Sequence, residues 1–315
     1  MLWTPLCDLF DIEYPIIQAG MGAATSGGLA AAVSNAGALG SLGAFRRPTA
    51  EFLHELTVLR SQTNRSIALN HVIPALNEHT FNAALAAAPK VMSFALDEPG
   101  SYVARAKDAG ALVMHQVTTV QQAEQAAEAG VDVIVAQGGE AGGYSAMVAT
   151  MPLVPQVVRA VAPVPVVAAG GIFDGRGLAA ALMLGAVGVN VGTRFLATSE
   201  APFQEWKLPI LEAQSEEAVK VNFVNDVLPV PGTVGYKTVM RSIETEWVRR
   251  RSEDREVVRA NPRVVIEDMA ADRGNLPVSG QSAGGIRSII SAGEVVRTMA
   301  QEAEHALRAA RHLLR

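Results

Sequence analysis

VPVVAAGGIFDGRGLAAALMLGAVGVNVGTRFL, residues 164–196, holds the repeating unit of the fold. A short apolar run, Val164–Ala169, ends in Gly170 and Gly171. Asp174 then fits the N-cap of a helix over Arg176–Leu184, and Gly185 fits its stop. A second apolar run starts at Val187 and reads on to Leu196. Both runs are apolar without strict alternation, which suits parallel strands covered on both faces.

The same beat runs outward from this stretch. Further runs are Tyr14–Ala19, Ala38–Ala44, Ser66–Val72, Val91–Leu96, Ala111–Val117 and Val131–Gln137, which makes eight. Helical patterns lie between them, at Gly28–Ala36, Thr49–Thr63, His79–Ala88, Gly100–Ala109, Thr119–Ala129 and Pro152–Val161. Thr118 or Thr119 can cap a helix that Gly130 ends. Eight strand–helix units predict an α/β fold of the (β/α)8 TIM-barrel type, with a doubly wound open sheet as the alternative. The last barrel helix is expected over Ala292–Leu314, where Val295, Val296, Met299, Ala303, Ala306 and Leu307 share one face. Residues 199–280 have another texture, rich in Glu, Arg and Lys, and read as a mainly helical subdomain inserted before that helix. The barrel would then comprise residues 1–198 and 281–315.

Composition narrows the function. In 315 residues the hydrophobic share is 49% and the charged share 18%, which supplies a large core and excludes a disordered chain. A net charge of −5 without a basic block argues against nucleic-acid binding. The single cysteine, Cys7, excludes an intramolecular disulfide and a cysteine-rich zinc site. Residues 14–45 carry no charge over 32 positions, but seven glycines, Pro15, Gln18, Ser26 and Asn35 make them a strand, a helix and a strand rather than a membrane span. No basic patch precedes an apolar run at the start, so the expectation is a soluble, cytoplasmic protein. The stretch LAAALMLGA at residues 178–186 fits either barrel packing or a homodimer interface.

In such a barrel the loops at the C-terminal ends of the strands build the site. After the seventh and eighth runs come Gly170–Gly171 and Gly192–Thr193, a pair of turns whose amides can approach a phosphate closely because no Cβ intervenes. The loop AQGGEAGGYSA, residues 136–146, adds one carboxylate, Glu140, and one phenol, Tyr144. Glu140 reads equally as an ion pair holding the loop, and Tyr144 equally as a packed wall. His115 lies inside an apolar run and reads as a core histidine, whereas His71, next to Asn70, is a candidate for the pocket. Walker, Rossmann and G-x-S-x-G patterns are missing, and no metal site is expected.

Five motifs stand in one order: PIIQAGMG at 15–22, AQGGEAGGY at 136–144, AAGGI at 168–172, VGTRFL at 191–196 and SGQSAGGI at 279–286. Together they resemble the nitronate monooxygenase family, formerly the 2-nitropropane dioxygenases. That family also takes in FMN-dependent enoyl-acyl-carrier-protein reductases and NAD(P)H:quinone reductases. The resemblance covers about residues 14–298 and implies an FMN-dependent oxidoreductase, with NAD(P)H as a candidate electron donor. On matching positions, Gln18, Gly20 and Met21 would lie by the flavin ring and Asn70 would bond its polar edge or ribityl chain. Gln137 and Gly142 would line the flavin, Gly170, Gly171, Gly192 and Thr193 would hold the phosphate, and Gln281 and Ser282 would close over it.

One position departs from the pattern. Where members with nitronate activity have a histidine after EAGG, this chain has Tyr144. Imidazole, with a pKa near 6.5, takes a proton at neutral pH; a phenol, near 10, is instead a donor. Tyr144 and His71 are therefore the expected catalytic residues, acting on a small-molecule substrate. The family implies oxidation of an alkyl nitronate by O2 to a carbonyl and nitrite. The alternatives are NAD(P)H-dependent reduction of an activated alkene or a quinone, and a flavin-binding protein with little turnover.

Overall fold

The computed structural model describes residues 2–230 and 236–313. Eight parallel strands form the barrel. They are β1 (Ile16–Gln18), β2 (Gly40–Gly43), β3 (Ile67–Val72), β4 (Val91–Ala95), β5 (Leu112–Val117), β6 (Val133–Gln137), β8 (Val166–Ala169) and β9 (Gly188–Val191), with β7 (Gly143–Ser145) lying outside it. Their order is β1-β9-β8-β6-β5-β4-β3-β2, and the ends meet where Gln18 N donates to Leu39 O and Leu39 N donates to Ile16 O. This is a TIM barrel, and helices alternate with its strands.

The local signals act as their chemistry requires. Asp174 Oδ1 accepts from Gly177 N at 2.9 Å and Thr119 Oγ1 from Gln122 N at 3.2 Å. Gly130 and Gly185, each at positive φ, come directly after the helices so capped. The eighth apolar run is not all strand: β9 stops at Val191, and Thr193–Leu196 turn into a short helix. The last helix covers Ala292–Ala310, continues as a 3-10 turn to Leu313, and leaves Leu314 outside the described residues.

Both strand faces are buried, but against different layers. Leu42, Ile67, Leu69, Ile134 and Val189 pack outward on the helices. Ile17, Ala68, Val91, Met114, Val135 and Val167 fill the interior. A helix the sequence pattern does not announce, Pro5–Phe10, closes the lower end by driving Leu6 and Phe10, both fully buried, into that interior.

Residues 199–280, expected to be mainly helical, contain helices such as Asn222–Val227, Glu246–Glu253 and Pro262–Ala271, and also two strands. These are β10 (Ala218–Lys220) and β11 (Val239–Ile243), and β11 pairs antiparallel with β7 so that Tyr144 lies opposite Met240. Part of this segment, residues 231–235, lies outside the described residues. Among the described residues no helix is long and apolar enough to cross a membrane.

Candidate active site

The interior changes character toward the C-terminal ends of the strands. Above Met114 and Val135, the inward positions become Ser41, Asn70, Ser93, Gln116, Gln137 and Asn190, which with Gln18 floor a cavity of about 530 Å3. Some of these groups satisfy one another. Gln18 Oε1 accepts from Ser41 N at 3.0 Å, and Asn70 Nδ2 donates to Ser93 Oγ at 3.1 Å. Others do not: Ser41 Oγ, Gln137 Oε1 and Asn190 Oδ1 are buried without a hydrogen-bond partner. Buried polar atoms without partners, spread around the floor of one cavity, mark where a polar-edged ligand belongs.

On one side lie the glycine turns. Gly170 and Gly171 take φ of 101° and 75°, a conformation that side chains resist, so their amides stay bare. Gly192 backs onto Met21, whose sulfur would stand 3.3 Å from an added Cβ. Gly20 lies so close to Asn70 that a Cβ would fall 2.3 Å from the Asn70 Cβ. Thr193 Oγ1 accepts from Gly280 N at 2.9 Å, which keeps its own proton available. Ser282 lines the cavity beside these residues, whereas Gln281 is tied by its backbone N–H to Glu140 O and lies off the wall.

Glu140 holds the loop from within. Its carboxylate accepts from Thr150 N and Thr150 Oγ1, fixing the loop to the start of helix Thr150–Val161. Arg241 donates to Gly139 O from Nε and Nη2. The loop thereby presents Gly142 and Tyr144 to the cavity.

The outer chamber is apolar. Leu228, Met240, Ile266, Met269, Leu276 and Val278 from residues 199–280 face Phe45, Phe203 and Trp206, with Arg46 and Arg273 as its cations. Tyr144 is 7% exposed, and burial pushes its phenol pKa up, with the Arg46 charge acting against that shift. Arg46 Nη2 donates to Tyr144 Oη at 3.0 Å.

His71 does not belong to this site. Asn70 and Val72 line the cavity, so the residue between them points the other way. Its ring packs edge-on at 5.9 Å from Phe52 and 5.6 Å from Phe81, and desolvation lowers its pKa to about 4. The catalytic expectation for His71 is corrected by that register. His115 also faces outward, its Nε2 3.2 Å from Tyr236 Oη. Arg46 escaped the sequence reading, because FRRP carries no motif and its side chain is aimed by a positive φ of 52°.

A family model described as nitronate monooxygenase matches residues 3–86 and 77–302. The chain is similar to a Mycobacterium tuberculosis enzyme named (3aS,4S,5R,7aS)-5-hydroxy-7a-methyl-1-oxo-octahydro-1H-indene-4-carboxyl-CoA dehydrogenase. Identity is 41% over 203 residues, 64% of this chain and 57% of that protein, so the match spans little more than half of the relative's length. A probable nitronate monooxygenase of Staphylococcus aureus is 35% identical, over 64% of this chain and 69% of its own. Among solved structures, FabK of Thermotoga maritima superposes with a TM-score of 0.87 at 29% identity, covering 100% of both chains. Nitroalkane oxidase of Streptomyces ansochromogenes gives 0.81 at 26% identity, covering 97% of this chain and 99% of its own.

Proposed function

Because the chain belongs to the nitronate monooxygenase family and is therefore an oxidoreductase, we propose that it binds FMN and acts on a carbon conjugated to an oxygen-bearing group. The fit rests on the cavity itself. Gly170, Gly171, Gly192 and Thr193 would receive the phosphate, and the open oxygens of Ser41, Gln137 and Asn190 would meet the ring's polar edge and ribityl hydroxyls. Gln18, Gly20, Met21, Asn70, Gly142 and Ser282 complete the wall. When bound, FMN supplies the hydride or electron transfer.

The chain's own residues set the substrate. The observation that carries the reading is Tyr144: a buried phenol facing the cavity, with its pKa raised, is a hydrogen-bond donor at neutral pH and not a base. Such a donor holds a carbonyl oxygen while negative charge grows on it. The apolar chamber accepts a hydrocarbon body and sheds water. Together these favour NAD(P)H-dependent reduction of an activated alkene; the name of the mycobacterial relative, a carboxyl-CoA dehydrogenase, supports a CoA thioester as the kind of substrate and not the direction of the reaction.

Nitronate oxidation is the second reading. It is favoured by the names of the staphylococcal relative and of the nitroalkane oxidase structure. A nitronate is already deprotonated, so the missing histidine does not bar it, and Tyr144 would hold a nitro oxygen.

The test is the visible spectrum of the protein loaded with FMN, taken anaerobically with NADH and with NADPH. Rapid bleaching, then reoxidation by an enone or enoyl thioester, supports the first reading. A band that resists both nucleotides but turns over a nitronate with O2 replaces it with the second. A flavin band without either turnover leaves a flavin-binding protein, and failure to retain FMN refutes the assignment. Replacement of Tyr144 by Phe is expected to lower kcat by roughly 100-fold, the scale of losing one oxyanion donor.

A further inference from the structure

Tyr144 has one proton and one hydroxyl oxygen, and the protein has already used the oxygen. Arg46 Nη2 donates to it at 3.0 Å, and a guanidinium cannot accept in return. Among the described residues no protein acceptor is in place for the phenol proton, although Tyr144 is 7% exposed and lines the cavity.

Arg46 is itself held for this task by three elements. Its φ of 52° turns the side chain back over the barrel mouth, at a conformational cost that an arginine does not incur in an ordinary loop. Its guanidinium carbon stands 5.0 Å from the Phe45 ring centroid and 6.0 Å from that of Tyr144. A second, longer bond runs from Nη2 to Leu228 O at 3.4 Å, in the segment that forms the outer chamber. Phe45 packs edge-on against Tyr144 at 6.4 Å, so the phenol is braced from the side as well. The neighbouring cation on the paired strand, Arg241, is spent on Gly139 O and Ala218 O.

We propose that Arg46 is a positioning residue for this site, occupying the acceptor side of the Tyr144 oxygen so that the phenol proton is directed at the substrate's oxygen. The proton is shared and not transferred, and the guanidinium charge strengthens the phenol as a donor. The proposal rests on the reading of Tyr144 as a substrate-facing donor. It goes beyond that reading in naming what aims the proton and in placing the aiming group on the loop after β2, outside the motifs shared with the family.

Two measurements test it. The first needs neither cofactor nor substrate. The chain has four tyrosines, so tyrosine labelled with 13C at Cζ gives a small set of signals, and Tyr144→Phe identifies the one of interest. At fixed neutral pH that signal is expected to shift in Arg46→Gln and to return part of the way in Arg46→Lys. The second is steady-state kinetics of the FMN-loaded protein. Arg46→Gln is expected to lower kcat roughly tenfold with little change in KM, as for an interaction made in the transition state. In the Tyr144→Phe background the same substitution is expected to cost less than about twofold, because the two side chains act as one unit. An unchanged Cζ signal, or losses that multiply in the double variant, overturns the role of Arg46 while leaving Tyr144 as donor. Full kcat in Tyr144→Phe overturns the donor reading, and the Arg46 proposal with it.

Discussion

His71 and His115 are imidazoles kept neutral by their surroundings. His71 is 1% exposed between Phe52 and Phe81, and His115 is fully buried with Tyr236 as its partner. Desolvation lowers each pKa from 6.5 to about 4. Between those values the unfolded chain binds protons that the folded one refuses, so stability is complete above pH 6.5 and falls as pH drops toward 4. Each ring accounts for on the order of 3 kcal/mol across that window. Urea midpoints measured from pH 7 to pH 4.5 should show the loss, and His71→Leu should remove about half of it without changing turnover. A variant with the wild-type acid slope would show that His71 is not the group responsible, and a variant without turnover would return it to the active site. Tyr236→Phe leaves the His115 Nε2 without its protein partner and should cost about 1–3 kcal/mol at neutral pH by denaturant unfolding.

At the scale of elements, the loop after β6 and the segment Ser279–Ser282 are one construction. Gly142 sits so tightly on this segment that an added Cβ would fall 2.6 Å from Gly280 N and from the Ser279 carbonyl carbon. Backbone cannot swing aside as a side chain does, so Gly142→Ala must push the two strips apart. It should raise the FMN dissociation constant more than tenfold, read by quenching of flavin fluorescence. Gly130→Ala is the control: its Cβ meets open space, its φ is +83°, and it should cost about 1 kcal/mol of stability with FMN affinity unchanged. Equal effects on affinity would mean that loop strain in general, and not this contact, governs the site. The glycine turns and the Asp174 and Thr119 caps were readable because each signal acts within a few residues. The pairing of β7 with β11 was not, since it joins Tyr144 to Met240 across nearly a hundred residues and β7 is only three residues long. Thr193–Leu196 misread as strand because a short helix and a strand buried on both faces share the same apolar composition.

Over the whole molecule, burial on both strand faces made the barrel readable and its interior hard to read. Eight apolar runs gave the strand count, yet a strand such as IALNHV, residues 67–72, is buried at every position, so hydrophobicity says nothing of which residues face inward. Asn70 and His71 therefore looked alike as candidates, and only closure of the barrel sent one into the cavity and the other into the helical layer. The same closure divides labour along the barrel axis. The upper end exposes polar floor, glycine turns and Tyr144; the lower end is an apolar plug in which Leu6 and Phe10 fill the interior. Unsatisfied polar atoms cost stability at the upper end, and close packing at the lower end offsets that cost. Phe10→Ala would open a cavity in the plug and should lower stability by about 3–5 kcal/mol, seen as a reduced urea midpoint. FMN affinity and kcat of the folded fraction should stay within about twofold, because Phe10 does not line the cavity. If instead stability and FMN affinity fall together, the interior transmits packing from one end to the other, and the lower helix must count as part of the site.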